Sequence, residues 1–276
     1  MKTQTFQVTR YDSAAAVLDF VRGWRSDRVA STDDGRDAWA GASYPDIARW
    51  AISGSPEHGA AVAAILDGIA AVLPDTDRST IEPSMVPGYV CVADALCGLP
   101  ESFRRRALSA DACAPVRFIV DMSASCHVGA SILARRGAAI CAAIQSVLPF
   151  RPVTLEVIAA FKFHQRPNHT GVVVLDIDPR ALDLDALALV LACPGFLRRP
   201  MFDALRLVAG VTLEDVLPRA DRAEYIAQLY PDASTVTVPP VWTDEDARPF
   251  ATAKSAAAWV ASHVQRAADL ATTDAT

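Results

Sequence analysis

No C-x-x-C pair occurs among the six cysteines, at positions 91, 97, 113, 126, 141 and 193, which argues against a zinc ribbon. Neither G-x-x-x-x-G-K-[ST] nor G-x-G-x-x-G is present, so the chain carries no phosphate loop. G-x-S-x-G is missing too, and with it the serine-hydrolase elbow. Basic residues are outnumbered, 26 Lys and Arg against 32 Asp and Glu, for a net charge of −6. That balance argues against a nucleic-acid partner, which would call for a basic face. No apolar run is long enough to cross a bilayer, and "MKTQTFQVTRYDS" lacks the apolar core of a secretory signal. A cytoplasmic setting is expected, either bacterial or, for a phage-encoded chain, the host cytoplasm or the virion. There is no internal repeat and no low-complexity tract.

What is present is apolar: 51% of the 276 residues are hydrophobic and 21% charged, enough for one large core or two smaller ones. "TFQVTRYDSAAAVLDFVRG" reads as a strand and an amphipathic helix, with Ser13 as N-cap and Val17, Leu18 and Val21 on one side. Two helices follow in "SYPDIARWAISG" and "SPEHGAAVAAILDGIAAVL", the second with a stripe of Val62, Ile65, Leu66, Ile69 and Val72. "PDTDRSTIEPSMVPGYV" reads as a linker, and Arg104-Arg105-Arg106 as a solvated helix face.

After Pro115 strands and helices alternate. "VRFIVDMS" is a near-continuous apolar strand, as expected where both sheet faces are covered. "ASILARRGAAICAAIQSVLPF" is a helix, in which Gly137 marks close packing on the sheet. "VTLEVIAAFKF" and "TGVVVLDID" are strands joined through the hairpin "FKFHQRPNHTG", and "LDLDALALVLACP", "RPMFDALRLVAG" and "DRAEYIAQLYP" are helices. "STVTVPPVW" is a short strand before a long closing helix. The expected fold class is therefore α/β, a doubly wound, mostly parallel sheet flanked by helices, with an N-terminal, mostly helical region. The expected division is 1–112 for that region, 113–271 for the α/β domain and 272–276 for a disordered tail.

In such sheets ligands lie beyond the carboxyl ends of strands, where Asp121 falls. Asp121-x-Ser123-x-Ser125 offers one carboxylate and two hydroxyls, hard oxygen donors of the kind Mg²⁺ takes. The alternative use of these residues is to cap the helix that follows. The neighbouring Cys126-His127 offers a different chemistry, a hydrolase or transferase using the Cys126 thiol. His164 or His169 would then act as base and Asp176 or Asp178 would orient it. The acids 176, 178, 183 and 185 lack the glycine and terminal glutamate of a calcium loop and read as turn and cap residues.

Asp121-Met122-Ser123-Ala124-Ser125, at the end of an apolar strand and ahead of a helix, resembles the D-x-S-x-S signature of von Willebrand factor A domains. The resemblance covers roughly residues 115 to 270. It implies a doubly wound α/β module that binds a protein partner through a metal-ion-dependent adhesion site, with Asp121, Ser123 and Ser125 as ligands of Mg²⁺. Gly195 stands in the family's glycine-rich turn, Leu197 or Arg198 where it has a metal-binding threonine, and its later aspartate has no clear counterpart. The assembly is also similar to uncharacterised proteins of tailed phages and prophages, which implies a virion or accessory scaffold role. Among relatives of that kind an A-type domain works beside an AAA-type ATPase. The expected function is protein–protein binding or assembly, with no catalysis of its own.

Overall fold

The computed structural model describes residues 5–25, 37–69, 79–84, 89–90, 96–97, 103–108, 116–148, 152–163, 166–209, 216–217 and 235–273. Strand β1 (Thr5–Tyr11) leads into helix α1 (Ala14–Arg25), whose first turn is capped by Ser13 Oγ accepting from the Ala16 N–H at 3.2 Å. A single turn, α2 (Asp37–Ala40), precedes α3 (Tyr44–Ser53) and α4 (Pro56–Ile69). Ser43 caps α3, and Gly54 ends it at φ +74°, a conformation that favours glycine. Val17, Leu18 and Val21 of α1 are buried, as are Val62 and Ile65 of α4. The rest of the expected α4 stripe is Leu66, which is partly buried, and Ile69 and Val72, whose side chains lie outside the description.

Strands β2 (Ser79–Ser84), β3 (Tyr89–Val90) and β4 (Phe103–Leu108) form a small antiparallel sheet in the order β2-β4-β3. This corrects two expectations. The supposed linker contains a strand, with Pro83 on an edge where its missing N–H is tolerated. Arg104, Arg105 and Arg106 lie on a strand and not on a helix, with Arg105 opposite Glu82.

The main sheet takes β5 (Val116–Asp121), β6 (Val153–Phe163), β7 (Arg166–Ile177) and, after the two-residue β8 (Val216–Leu217) that pairs onto β6, β9 (Thr235–Val238). Its order is β1-β7-β6-β5-β9. β5 runs parallel to β6 and β9, β1 parallel to β7, and β6 and β7 form the antiparallel hairpin. The fold is α/β with a mostly parallel sheet. "DRAEYIAQLYP", the turn at His164 and the tail at 274–276 lie outside the described residues.

Helix α5 (Ala130–Val147) crosses from β5 to β6. Helix α6 (Leu184–Ala192) follows the hairpin, capped by Asp183 accepting from the Ala186 N–H at 2.7 Å. A turn α7 (Pro194–Phe196), a π-turn (Leu197–Met201) and α8 (Phe202–Ala209) come next. Pro200 supplies no N–H, and the ladder there widens to an i→i−5 bond from Phe202 N–H to Leu197 O. A turn α9 (Asp244–Ala247), held by a reciprocal Thr243–Asp246 capping box, leads to the closing helix α10 (Ala253–Thr273). That helix includes positions 272 and 273, which the expected disordered tail had claimed.

Alternation sends Phe118 and Val120 of β5, and Met122 just beyond it, into the core shared with α1, α3, α4, α5, α6 and α10. Ile119 joins Ile158, Ala160, Val172 and Val174 in a second cluster on the opposite face. Gly137 allows a close contact between helices. A Cβ there would sit 1.8 Å from Leu191 O, so the glycine serves the α5–α6 crossing and not the sheet. The expected boundary at 112/113 does not separate two cores. β1 pairs with β7, and Val17, Ile47 and Val62 from the N-terminal region lie in the same cluster as Phe118 and Ile140.

Candidate functional site

Strand β5 lies between β6, reached through α5, and β9, which arrives from the other side of the chain's path. Its carboxyl end is thus a topological switch point, the place where open α/β sheets bind their ligands. The residues that follow, 122–129, form the candidate site.

The structure places the three predicted ligands differently from the expectation of an open trio. Asp121 is 1% exposed and Ser123 fully buried, while Ser125 is half-buried. Asp121 Oδ1 accepts from the Ser123 N–H at 2.9 Å. Ser123 Oγ accepts from the Ala160 N–H at 3.0 Å and donates to Ala160 O at 3.2 Å, and so extends the β5–β6 pairing by a side chain. Ser125 Oγ accepts from the His127 N–H at 3.3 Å and closes a turn. The two hydroxyls turn to different partners, Ser123 to Ala160 and Ser125 to the His127 N–H. Among the described residues no group of three His, Cys, Asp or Glu side chains is placed to hold a metal. Nor do Asp121 and the serines cap the helix: Gly129 is the N-cap of α5 and no side chain bonds there.

Arginines tie this region to its surroundings. Arg136 of α5 is fully buried and donates through Nη2 to Asp121 O at 2.8 Å and to Pro239 O at 2.7 Å. It ties the ends of β5 and β9, whose carbonyls have run out of ladder partners. Arg135 beside it donates to Phe250 O at 2.8 Å and Ala251 O at 2.6 Å. Arg198 of the π-turn is 9% exposed, and its two Nη groups donate to Trp39 O and Val128 O. Its guanidinium also lies 4.5 Å from the Trp39 ring centroid, in cation–π contact. Burial brings its pKa down to about 10, so it stays a cation at neutral pH. Trp39 in turn donates from Nε1 to Cys126 O at 3.0 Å.

The loop is therefore clamped from α2 and from the π-turn, with Cys126 and His127 exposed at its tip and Trp39 42% exposed beside them. Among the described residues the Cys126 thiol makes no hydrogen bond to a histidine. His58 is bonded to Ser55 and His263 stacks on Trp259. The bases considered for a thiolate, His164 and the His169 side chain, lie outside the description. Asp176 is engaged by Arg10 at 3.8 Å, and Asp178 by a two-pronged pair with Arg180 that holds its carboxyl below the usual range. Of the acids of "LDIDPRALDLD", Asp178 thus acts as a turn residue and Asp183 as a helix cap, while Asp176 lies on strand β7.

Trp39, Arg136 and Arg198 escaped the sequence reading. A signal existed for the two arginines, each a cation inside an otherwise apolar helical stretch, "ILARRGAAI" and "PGFLRRPMF". Such a charge is kept inside a fold only where backbone acceptors await it.

Among the described residues no helix is long and apolar enough to cross a membrane. No curated protein and no solved structure matches the chain. The family model described as Domain of unknown function (DUF7192) matches residues 2–232, across the supposed boundary at 112/113 and including the 122–129 loop with Trp39, Arg136 and Arg198, and the chain belongs to that family.

Proposed function

We propose that the chain is a protein–protein binding module whose partner meets the 122–129 loop. The observation that carries this reading is the clamp: Trp39 and Arg198 fix an exposed loop at a switch point, with an indole face, a thiol and an imidazole presented together. Tryptophan is among the residues that dominate binding energy at interfaces, and a loop held in one conformation loses little entropy on binding. The similarity to von Willebrand A domains favours a protein partner, and an AAA-type ATPase is the class it suggests. A divalent metal is not required by this reading.

The test places a photocrosslinking residue at His127 and, as control, at Ile52, an exposed position on α3. One defined adduct is expected from position 127 and none from 52. Trp39→Ala should reduce it at least tenfold, in line with the loss of a hot spot worth about 2 kcal/mol. Chelation by EDTA should leave it unchanged. Equal adducts at both positions, or none at 127, would refute the proposal.

A further inference from the structure

Away from the loop, α4, α5 and α10 enclose an open groove of about 820 Å³. This falls within the ~300–1,000 Å³ typical of small-ligand sites. Its walls are mostly small and apolar, among them Ala64 and Gly68 of α4, Ala134 of α5 and Ala257 of α10, with Ser131 of α5 the uncharged polar residue beside them. Close-packed helix layers seldom leave such a space unfilled. Among the described residues the charged ones that line it are both cations, Arg135 and Lys254. Among the described residues no carboxylate pairs with either, in a chain whose acids outnumber its bases. Arg135 is anchored on the carbonyls of Phe250 and Ala251, one turn before Lys254, so both charges sit at the end of the groove where α10 begins.

An apolar channel with positive charge at one end is complementary to a slender apolar molecule with an anionic head. We propose that this groove binds a long-chain aliphatic carboxylate, its tail between α4 and α5 and its head at Arg135 and Lys254. The proposal is independent of the loop and its partner.

Dodecanoate, kept below its micellar concentration, is titrated calorimetrically into the full chain beside dodecanol and dodecyltrimethylammonium. Saturable one-to-one binding of dodecanoate is expected, with dodecanol at least tenfold weaker and the ammonium without measurable binding. A Cβ at Gly68 would meet nothing within 4 Å, so Gly68→Phe should fold normally and fill the channel. Binding should then be abolished while the circular dichroism spectrum is unchanged. Lys254→Glu, on an exposed side chain, should weaken dodecanoate at least tenfold and leave dodecanol unaffected. Absence of saturable dodecanoate binding, equal binding of the ammonium, or an indifferent Gly68→Phe variant would each overturn the proposal. So would binding to phosphatidylglycerol vesicles without binding to monomeric dodecanoate, which would put a membrane surface in place of the single chain.

Discussion

At the scale of single residues, the fold is held at several points by polar groups that burial has forced into one partner choice. His58 is 9% exposed, its Nδ1 lies 2.7 Å from Ser55 Oγ, and its ring meets Trp50 edge-on at 5.6 Å. Burial lowers its pKa, opposed in part by the neighbouring Glu57. Because the folded state binds the proton less well than the unfolded chain, stability is complete above the ordinary histidine value near 6.5. It declines as pH falls through that value towards the lower folded pKa. The expected slope contributed by this group is at most about 1.4 kcal/mol per pH unit. Urea unfolding of the wild type and of His58→Gln between pH 5 and 8 checks it. The difference between the two should be flat above pH 7 and sloped below, and a parallel pair of curves would remove the histidine from the account. Ser123 shows the same constraint in a neutral group: its hydroxyl, read in the sequence as a possible metal ligand, is fully buried and replaces a strand residue's bonds to Ala160.

At the scale of elements, the α5–α6 crossing is the contact most sensitive to volume. In an exposed helix, replacing glycine by alanine stabilises by about 1 kcal/mol. At Gly137 the added methyl would lie 1.8 Å from Leu191 O and 2.5 Å from Ala192 Cα, all backbone that cannot rotate away. Gly137→Ala is therefore expected to destabilise by about 3 kcal/mol or more, the upper end for overpacking. Gly68→Ala, in open space on α4, should be neutral or stabilising by up to about 1 kcal/mol. Thermal unfolding of the two variants side by side distinguishes packing from propensity. If Gly137→Ala were as stable as the wild type, the helices would be free to separate. The strand ends carry a related device, since Arg136 reaches from the middle of α5 to carbonyls on both β5 and β9.

For the whole molecule, the N-terminal region belongs to the sheet and the core. β1 covers the edge of β7 from Thr5 against His169 to Tyr11 against Leu175, and α1, α3 and α4 bury apolar residues against α6 and its neighbours. A fragment of residues 113–276 should not fold cooperatively, because it would expose both the β7 edge and the faces of α5 and α6. A broad, non-sigmoidal urea transition with binding of a hydrophobic dye is expected, where the full chain gives one transition. A sharp transition in the fragment would restore the two-domain reading.

The sequence by itself determined the local elements. The near-continuous apolar run of "VRFIVD", the Ser13 and Asp183 caps and the apolar run of "LDALALVLA" are nearest-neighbour signals, and they produced the strands and helices expected of an α/β chain. It also placed the 122–129 loop between an apolar strand and a helix, because both of those are local signals. Only the tertiary structure decided which atoms that loop has free. Whether Ser123 faces solvent or Ala160 depends on the register of β5 against a strand some forty residues away. Whether Arg198 is a surface charge or a buried clamp on Trp39 depends on a contact across 159 residues. Periodicity records which side of its own element a residue occupies, and carries no information about what the chain later brings to that side.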